Sequence, residues 1–553
     1  NNRGFSHCNL GQYQQAIRDF NEAIRIKGKF PQAYHNRALA FHSLSKYKEA
    51  IRDCTRAINL NPGLPSPYIV RGLAYVNLGK HKKAIRDYNK AIAISPDYAE
   101  AYNSLGITLE ELGCYDQAIA AHHKALTIKP DYAEAHSNLL LMEQYRPGHT
   151  TETLYKLHCE WDERHGRMFR AQWPEHRNTP EPDRRLRIGF VSPDLGRHPV
   201  GYFVVGLFEN LPKNKIETIV YSERRADDLT ERIKDATTVW RSIRGIGDAE
   251  LTKTILDDEI DILIDLTGHS AKNRLLVFAR KPAPLQVTWA GYMGTTGLSA
   301  IDYLVSDVYS THAEEEKFYS EQVVRMPDGW LCYEPPDYAP DVGPLPCKQN
   351  GFVTFASFNN GAKLNAEVVS VWARILDGVA NSRLLTKSKG IDSASNVERL
   401  TTMFEAEGID RSRLGFEGRS PHADLLARYN DVDIALDPFP YSGGLTTLEA
   451  LWMGVPVVTV PGETFASRHS LTHLSVVGLP ELVARDQDNY LELVVELANN
   501  TDRLAGLRAA LREKMASSPI CDGKKFAEGF TAIMREIWRD WCLSQDSGNH
   551  VSS

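Results

Sequence analysis

Residues 437–463 read DPFPYSGGLTTLEALWMGVPVVTVPGE, and the order of textures in that stretch decides the fold. Just upstream, Ile434-Ala435-Leu436 is a short apolar strand that runs into the Gly-rich turn. Thr446 to Trp452 then reads as a helix opening, and Val457 to Val460 as the next buried strand. Gly443 and Gly444 permit close approach of a ligand to the backbone. The helix start that follows presents unpaired N–H groups and a partial positive charge, a setting for an anion. Thr446 and Thr447 add hydroxyl donors where a diphosphate would sit, and Glu449, one turn further in, can accept from ribose hydroxyls. The bland alternative is an ordinary strand-to-helix turn with a threonine cap.

Working outward, the same strand–helix alternation fills most of the chain. LRIGFVS, TIVYS, IDILIDL and LQVTWAG are strands between residues 186 and 291; FVTFASF, SRLLTKS, RLGFEG, VDIALD and PVVTVP repeat the pattern from 352 to 461. Near-continuous apolar strands of this kind form parallel sheets covered on both faces. The Pro-rich stretch YEPPDYAPDVGPLPCKQ, residues 333–349, separates two such units. The expected arrangement is two doubly wound domains facing across a cleft, with ligands at the carboxyl ends of the strands. No GxGxxG follows a strand and no Walker lysine motif occurs, which disfavours NAD enzymes and P-loop NTPases.

The first quarter is different: it repeats every 34 residues. Ala16, Ala50, Ala84 and Ala118 are in register, each followed by Ile; so are Leu10, Leu44, Leu78 and Leu112, and Tyr34, Tyr68, Tyr102 and His136, and Pro62, Pro96 and Pro130. That period and pattern resemble tetratricopeptide repeats, paired antiparallel helices stacked into a superhelix whose concave face binds extended peptide. Asn2-Arg3-Gly4 matches Asn36-Arg37-Ala38, so the expectation is that the chain starts inside a longer array. A charged helical pattern from Glu152 to Phe169 and a polar linker, WPEHRNTPEPDRR, join the repeats to the first strand.

With 553 residues the chain is too long for one core. Its net charge of −7 argues against nucleic acid or an anionic membrane as partner, so an anionic ligand must be met by local groups. No apolar run approaches the roughly 18 residues of a membrane span, and the N-terminus lacks signal-peptide form. Eight scattered cysteines, without CxxC or Cys/His spacing, suit reduced thiols in a cytoplasmic protein rather than a zinc site.

Two facing nucleotide-binding-like domains behind a tetratricopeptide array resemble the protein O-glycosyltransferases: the O-linked N-acetylglucosamine transferases and the related SPINDLY-type protein O-fucosyltransferases. Six segments carry the resemblance in order: VSPDLGRHPVGYF, DILIDLTGHSAKNRL, KPAPLQVTWAGYMGTTGLSAIDY, TFASFNNGAKLNAEVVSVWARIL, LDPFPYSGGLTTLEALWMGVPVVTVPGETFASR and SSPICDGKKFAEGF. It implies repeats over 1–145, a helical connector and linker over 146–185, two Rossmann-like catalytic domains over 186–345 and 346–545, and a tail over 546–553. It also implies an inverting, metal-independent glycosyltransferase of the two-domain B type, with no cofactor beyond the donor nucleotide sugar.

The site residues follow from the residues and the resemblance together. Lys363, just past TFASFNN, is placed to neutralise a diphosphate leaving group and matches the family's phosphate lysine. Asn360 matches the family's nearby amide; Ser420, His422 and Arg428 match base-proximal positions, although Arg428 also reads as an exposed helix arginine. Thr446 and Glu449 match the phosphate and ribose positions. Leu445 stands where the N-acetylglucosamine enzymes usually carry Thr, leaving only its backbone N–H. His198 opens the helical pattern PVGYFVVGLFENL and matches the family's essential histidine, as a general base or as an orienting group kept neutral by the helix N-terminus. His269, at the end of IDILIDLTG, is a second candidate at a strand terminus facing the cleft; Asp261 stands where the N-acetylglucosamine family has a further histidine. Asp265 reads as buried and structural. Arg468 either caps the sugar or diphosphate or pairs with Glu463. Asp431-Val432-Asp433 looks like a DxD metal motif, but alternating Asp at a strand start is read as structural.

The functional expectation is transfer of N-acetylglucosamine from UDP-GlcNAc to Ser or Thr hydroxyls of proteins bound along the repeats. GGLTTLEALWMGVP, LTGHSAKN and SSPICDG lean instead toward the fucosyl relative and GDP-fucose, whereas HPVGYF and PGETFASR lean toward N-acetylglucosamine. A catalytically inactive peptide-binding adaptor is the alternative of another class. A lipid-linked transferase lacks the basic amphipathic helix it would need.

Overall fold

The computed structural model describes residues 1–549, so the last four residues of the expected 546–553 tail lie outside the described residues; the final helix, Gly523–Asn549, continues through its start. The chain divides into two compact units, Asn1–Met142 with Asp392–Arg399, and Glu143–Ile391 with Leu400–Ser553.

The first unit is built from helical hairpins. Its helices run from Asn2–Asn9 and Tyr13–Ile26 through Tyr115–Ile128, and a ninth, Ala133–Tyr145, closes the series. Each 34-residue step places a small residue against a larger one: Gly4 on Phe20, Ala38 in register with Cys54, Gly72 on Tyr88, Gly106 on His122. The alanines at 16, 50, 84 and 118 are fully enclosed. A second ladder is ionic. Arg3, Arg37 and Arg71 each reach an aspartate 16 residues on, at 2.9 Å for Asp19 and 2.7 Å for Asp53 and Asp87. At Gly106 an added Cβ would lie 2.6 Å from the His122 ring, which is itself fully buried. Gly106→Val gains a few tenths of a kcal/mol of helix propensity but drives a branched side chain into that ring. Overpacking wins, and thermal unfolding followed by circular dichroism is expected to register a loss of about 2 kcal/mol. An unchanged melting curve would contradict the packing account.

The second unit holds both predicted sheets. The first contains β1 (Leu186–Ser192), β2 (Ile216–Ser222), β3 (Val239–Ser242), β4 (Ile262–Asp265), β5 (Leu285–Thr288), β6 (Tyr303–Ser306) and β7 (Gln322–Arg325), in the order β3-β2-β1-β4-β5-β6-β7. The second contains β8 (Thr354–Ser357), β9 (Arg383–Lys387), β10 (Leu414–Glu417), β11 (Ile434–Leu436) and β12 (Val457–Val458), in the order β10-β9-β8-β11-β12. Every pairing is parallel, with β1 flanked by β2 and β4, and β8 by β9 and β11. In each sheet the strand order therefore reverses beside the first strand, which opens a crevice at the carboxyl ends: β1/β4 in one, β8/β11 in the other. One continuous apolar core, from Leu186 to Cys542, underlies both sheets.

The connector departs from one continuous helix. Thr151–Trp161 is α-helical, capped by Thr150; a π turn, Asp162–Gly166, and a 3-10 turn, Arg167–Gln172, follow. The Asp162 carboxylate accepts from Ser299 N at 3.2 Å. His158 on this helix accepts from the Tyr292 hydroxyl at 2.7 Å, and burial lowers its pKa to about 4.

Candidate active site

The β8/β11 crevice gathers the residues of the Gly-rich turn. Leaving β8, the chain caps a short 3-10 turn, Gly361–Lys363, with the Asn360 side chain. Lys363 Nζ then turns inward, donating to the Ser442 carbonyl at 2.7 Å and to Asn359 Oδ1 at 3.1 Å, and lying 4.5 Å from the Tyr441 ring centre. The Thr446 hydroxyl donates to the same Asn359 oxygen at 3.1 Å. Burial lowers the Lys363 pKa to about 8, with Asp437 opposing. This is no solvated surface lysine, but a partly enclosed ammonium for which an anion would be the natural partner.

Gly444 is the N-cap of the Leu445–Trp452 helix, with no side-chain cap. Among the described residues no partner is found for the N–H groups of Gly444, Leu445 and Thr446. Three donors and a helix dipole thus point out of the turn next to Lys363. Gly443 has a different role: its N–H donates to Asp437 Oδ1 at 2.6 Å, and a Cβ there would meet that oxygen at 2.9 Å. The Thr447 hydroxyl is also internal, 2.8 Å from Ser470 Oγ, so only one of the two threonines faces the turn. The amide facing Lys363 is Asn359, with Asn360 exposed at the cap.

At the other end of the crevice, Ser420 Oγ is buried without a hydrogen-bond partner. His422 Nε2 sits 2.7 Å from Glu449 Oε1, and its Nδ1 is 2.7 Å from the Tyr338 hydroxyl and 3.0 Å from that of Tyr202. Arg428 is held by Glu417 at 2.8 Å and by Asp431 at 2.6 Å, the surface pairing that its helical setting allowed.

On the first sheet, His198 follows β1 as the N-cap of the Pro199–Asn210 helix, its Nδ1 accepting from Val200 N at 3.4 Å. Its side chain is 40% exposed, and burial, against the opposing pull of Asp194, lowers its pKa. Desolvation, the largest cause, thus favours the neutral imidazole, with Arg224 acting in the same direction. Phe203 on the same helix approaches Gly444: a Cβ on that glycine would lie 4.0 Å from Phe203 Cζ. The His198 helix and the phosphate-type turn thus share one cleft.

Two expectations are corrected. His269 does not face the cleft. It is fully buried, its ring packed 5.2 Å from both His158 and Trp161 and 5.3 Å from Tyr292, with Nε2 2.8 Å from the Thr296 carbonyl. The connector helix covers that strand end, which the strand pattern alone does not reveal. Arg468 does not pair with Glu463; its guanidinium makes a buried two-pronged ion pair with Glu315, at 2.6 and 2.8 Å. Asp261 is buried and held by Arg184 and Asn178, and Asp265 accepts from Thr267 N and Gly268 N, its pKa raised to about 6 by burial. The Asp433 carboxylate is taken up by Cys347 N and Thr354 N, at 2.9 and 2.8 Å, which is the work of a strand-start aspartate.

A model of glycosyl transferase family 41 matches residues 163–335 and 346–530, spanning both sheets and the crevice residues apart from Tyr338. The chain belongs to glycosyl transferase family 41. Tetratricopeptide models match the first unit of this family-41 chain over residues 6–45, 72–113, 31–64 and 99–132. A Petunia hybrida protein named "Probable UDP-N-acetylglucosamine--peptide N-acetylglucosaminyltransferase SPINDLY" is 40% identical over 411 residues, 73% of this chain and 44% of that protein. Its Arabidopsis thaliana counterpart is 39% identical over 414 residues, 74% of this chain and 45% of that protein. The family-41 chain thus spans less than half the length of these curated relatives. Among solved structures, a lysine-to-methionine mutant of Thermobaculum terrenum O-GlcNAc transferase matches with a TM-score of 0.88 at 35% identity, covering 93% of this chain and 98% of that one.

Four residues in contact with the predicted site residues were not singled out from the sequence: Asn359 and Tyr441 against Lys363, and Tyr202 and Tyr338 against His422. Asn359 is one step from the residue chosen, on a strand end where successive side chains alternate. Tyr202 carried a signal, since it lies four residues after His198 and so on the same helical face.

Proposed function

We propose that this chain transfers N-acetylglucosamine from UDP-GlcNAc to Ser or Thr hydroxyls of proteins by one inverting displacement. The observation that carries the reading is the convergence of Lys363 and Thr446 on Asn359, beside three unpartnered N–H groups at a helix start. Such a group can absorb the charge that leaves with a nucleotide diphosphate, the task a metal ion performs in other transferases. The names of the SPINDLY relatives support the same donor, and that of the Thermobaculum protein the same sugar. In the displacement the acceptor oxygen bonds to the anomeric carbon as the bond from that carbon to the phosphate oxygen breaks on the opposite face. The hydroxyl proton passes to a base. His198, partly exposed on the facing lobe, is the histidine placed for it, taking the proton on Nδ1 as that nitrogen releases its long 3.4 Å bond from Val200 N, with Nε2–H toward Asp194. The diphosphate leaves onto Lys363 and the helix start. No metal and no cofactor enters this scheme, acceptor polypeptides lie along the tetratricopeptide repeats, and the setting is cytoplasmic.

A second reading, fucose from GDP-fucose, is favoured by GGLTTLEALWMGVP, LTGHSAKN and SSPICDG. Calorimetric titration separates the two: UDP is expected to bind at least about tenfold more tightly than GDP, a difference of about 1.4 kcal/mol. The companion assay supplies labelled UDP-GlcNAc or GDP-fucose with a mixed protein lysate, and label on Ser or Thr from UDP-GlcNAc is the expected result. A preference for GDP moves the donor to fucose. No label from either donor returns the chain to a peptide-binding adaptor.

A further inference from the structure

Tyr338 and Tyr202, which neither the family resemblance nor the donor reading requires, join His422 in a chain of polar contacts. Tyr202 sits on the Pro199–Asn210 helix of the first lobe, one turn past His198, and its N–H donates to the His198 carbonyl at 3.2 Å. Tyr338 lies in the segment between β7 and β8. His422 opens the His422–Arg428 helix of the second lobe, and Glu449 lies one turn past the Gly444 cap. The hydroxyls of Tyr202 and Tyr338 are 3.1 Å apart. The His422 side chain is 16% exposed and that of Glu449 only 4%, so water competes little for these groups.

The proton inventory gives the chain a direction. A carboxylate accepts and cannot donate, so His422 gives its Nε2–H to Glu449. An imidazole with its proton on Nε2 accepts at Nδ1, and the nearer hydroxyl, Tyr338, supplies that bond. Tyr202 in turn donates to the Tyr338 oxygen. Each member but the last is a donor to the next, and one oxygen of Glu449 remains for a ligand hydroxyl.

We propose that Tyr202, Tyr338 and His422 are positioning residues that hold the His198 helix in register with the Gly444–Thr446 turn. The inference rests on the donor reading above. In-line attack needs the acceptor-side group and the leaving diphosphate within a few tenths of an ångström of their reacting geometry, and a 1 Å misplacement costs about a hundredfold. A hydrogen-bonded strut between the two helix starts supplies that register without touching the reacting atoms.

The test is steady-state kinetics with melting temperature measured alongside. Tyr338→Phe and Tyr202→Phe are each expected to lower kcat about tenfold while the donor KM stays within about threefold, because the donor's own contacts are intact. The double variant should lose little more than either single one, since both break the same chain. His422→Gln should outperform His422→Ala: a glutamine amide spaces its N–H donor and its acceptor much as the imidazole does. Phenylalanine variants with wild-type kcat would overturn the proposal. So would a fall in melting temperature and donor affinity with kcat unchanged, the mark of a merely structural contact. If the wild-type protein transfers neither sugar, the donor reading fails and carries this inference with it.

Discussion

Lys363→Met is expected to lower sugar transfer by about a thousandfold while shifting the melting temperature by less than about 3 °C. Methionine keeps the aliphatic stem against Tyr441 and removes only the ammonium, so packing is preserved. Loss of its bonds to Ser442 and Asn359 costs stability, but removal of a desolvated charge offsets part of that cost. The leaving diphosphate has no such offset. The pH dependence follows with its sign. Burial sets the Lys363 pKa to about 8, so below about pH 7 the ammonium is almost wholly present. An anion binds the protonated form better, which raises that pKa in the complex. UDP affinity should therefore be level below pH 7 and weaken as pH rises through 8, approaching about tenfold per unit. In Lys363→Met the curve should be flat across the same window. Calorimetry of UDP from pH 6.5 to 9 reads both; a wild-type profile that is flat through pH 9 would contradict the assignment.

Arg468→Ala is expected to destabilise the second unit by about 3 kcal/mol and to leave UDP affinity within about threefold of wild type at a temperature well below the melt. Arg468 is 5% exposed, pairs with Glu315 through both terminal nitrogens, and donates Nε–H to the Gly462 carbonyl at 3.0 Å. Truncation leaves a carboxylate with 20% exposure facing no cation, a cost that water repays only in part. Lysine should not restore the loss, because one ammonium cannot reproduce a two-pronged contact. Replacing both partners, as Arg468→Met with Glu315→Leu, should recover much of it. Chemical denaturation gives the numbers. Intact stability with lost UDP binding would return Arg468 to the donor site.

The divide between what was legible in the sequence and what was not has a physical cause. β1, β2, β4 and β5, and β8, β11 and β12 of the second sheet, announce themselves because nearly every residue is buried, so apolar residues dominate; β9 and the part-exposed edge strand β10 show through the apolar pairs and turn residues around them. β3 and β7 lie at sheet edges and are part-exposed, so their patterns dilute into loop. Gly444 and Thr446 are legible because strand end, glycine turn and helix start are contiguous in the chain, and Lys363 because it lies just past the end of its own strand, β8. Partners joined only by folding are not: Tyr202 meets His422 across 220 positions, and Arg468 meets Glu315 across 153. His269 misleads for the same reason, since the helix that buries it lies more than a hundred residues upstream. Glu449 and His422 were read as separate ligand contacts, and no local signal says that they bond to each other.

The central claim is that Lys363 and the start of the Leu445–Trp452 helix together receive the charge of a departing nucleotide diphosphate. The most direct measurement is a crystal structure of the protein soaked with UDP. The account predicts pyrophosphate oxygens within about 3 Å of Lys363 Nζ and of the Leu445 and Thr446 N–H groups, the ordinary reach of charge-assisted hydrogen bonds. A pyrophosphate bound elsewhere, with Lys363 still on Ser442 and Asn359, would contradict it.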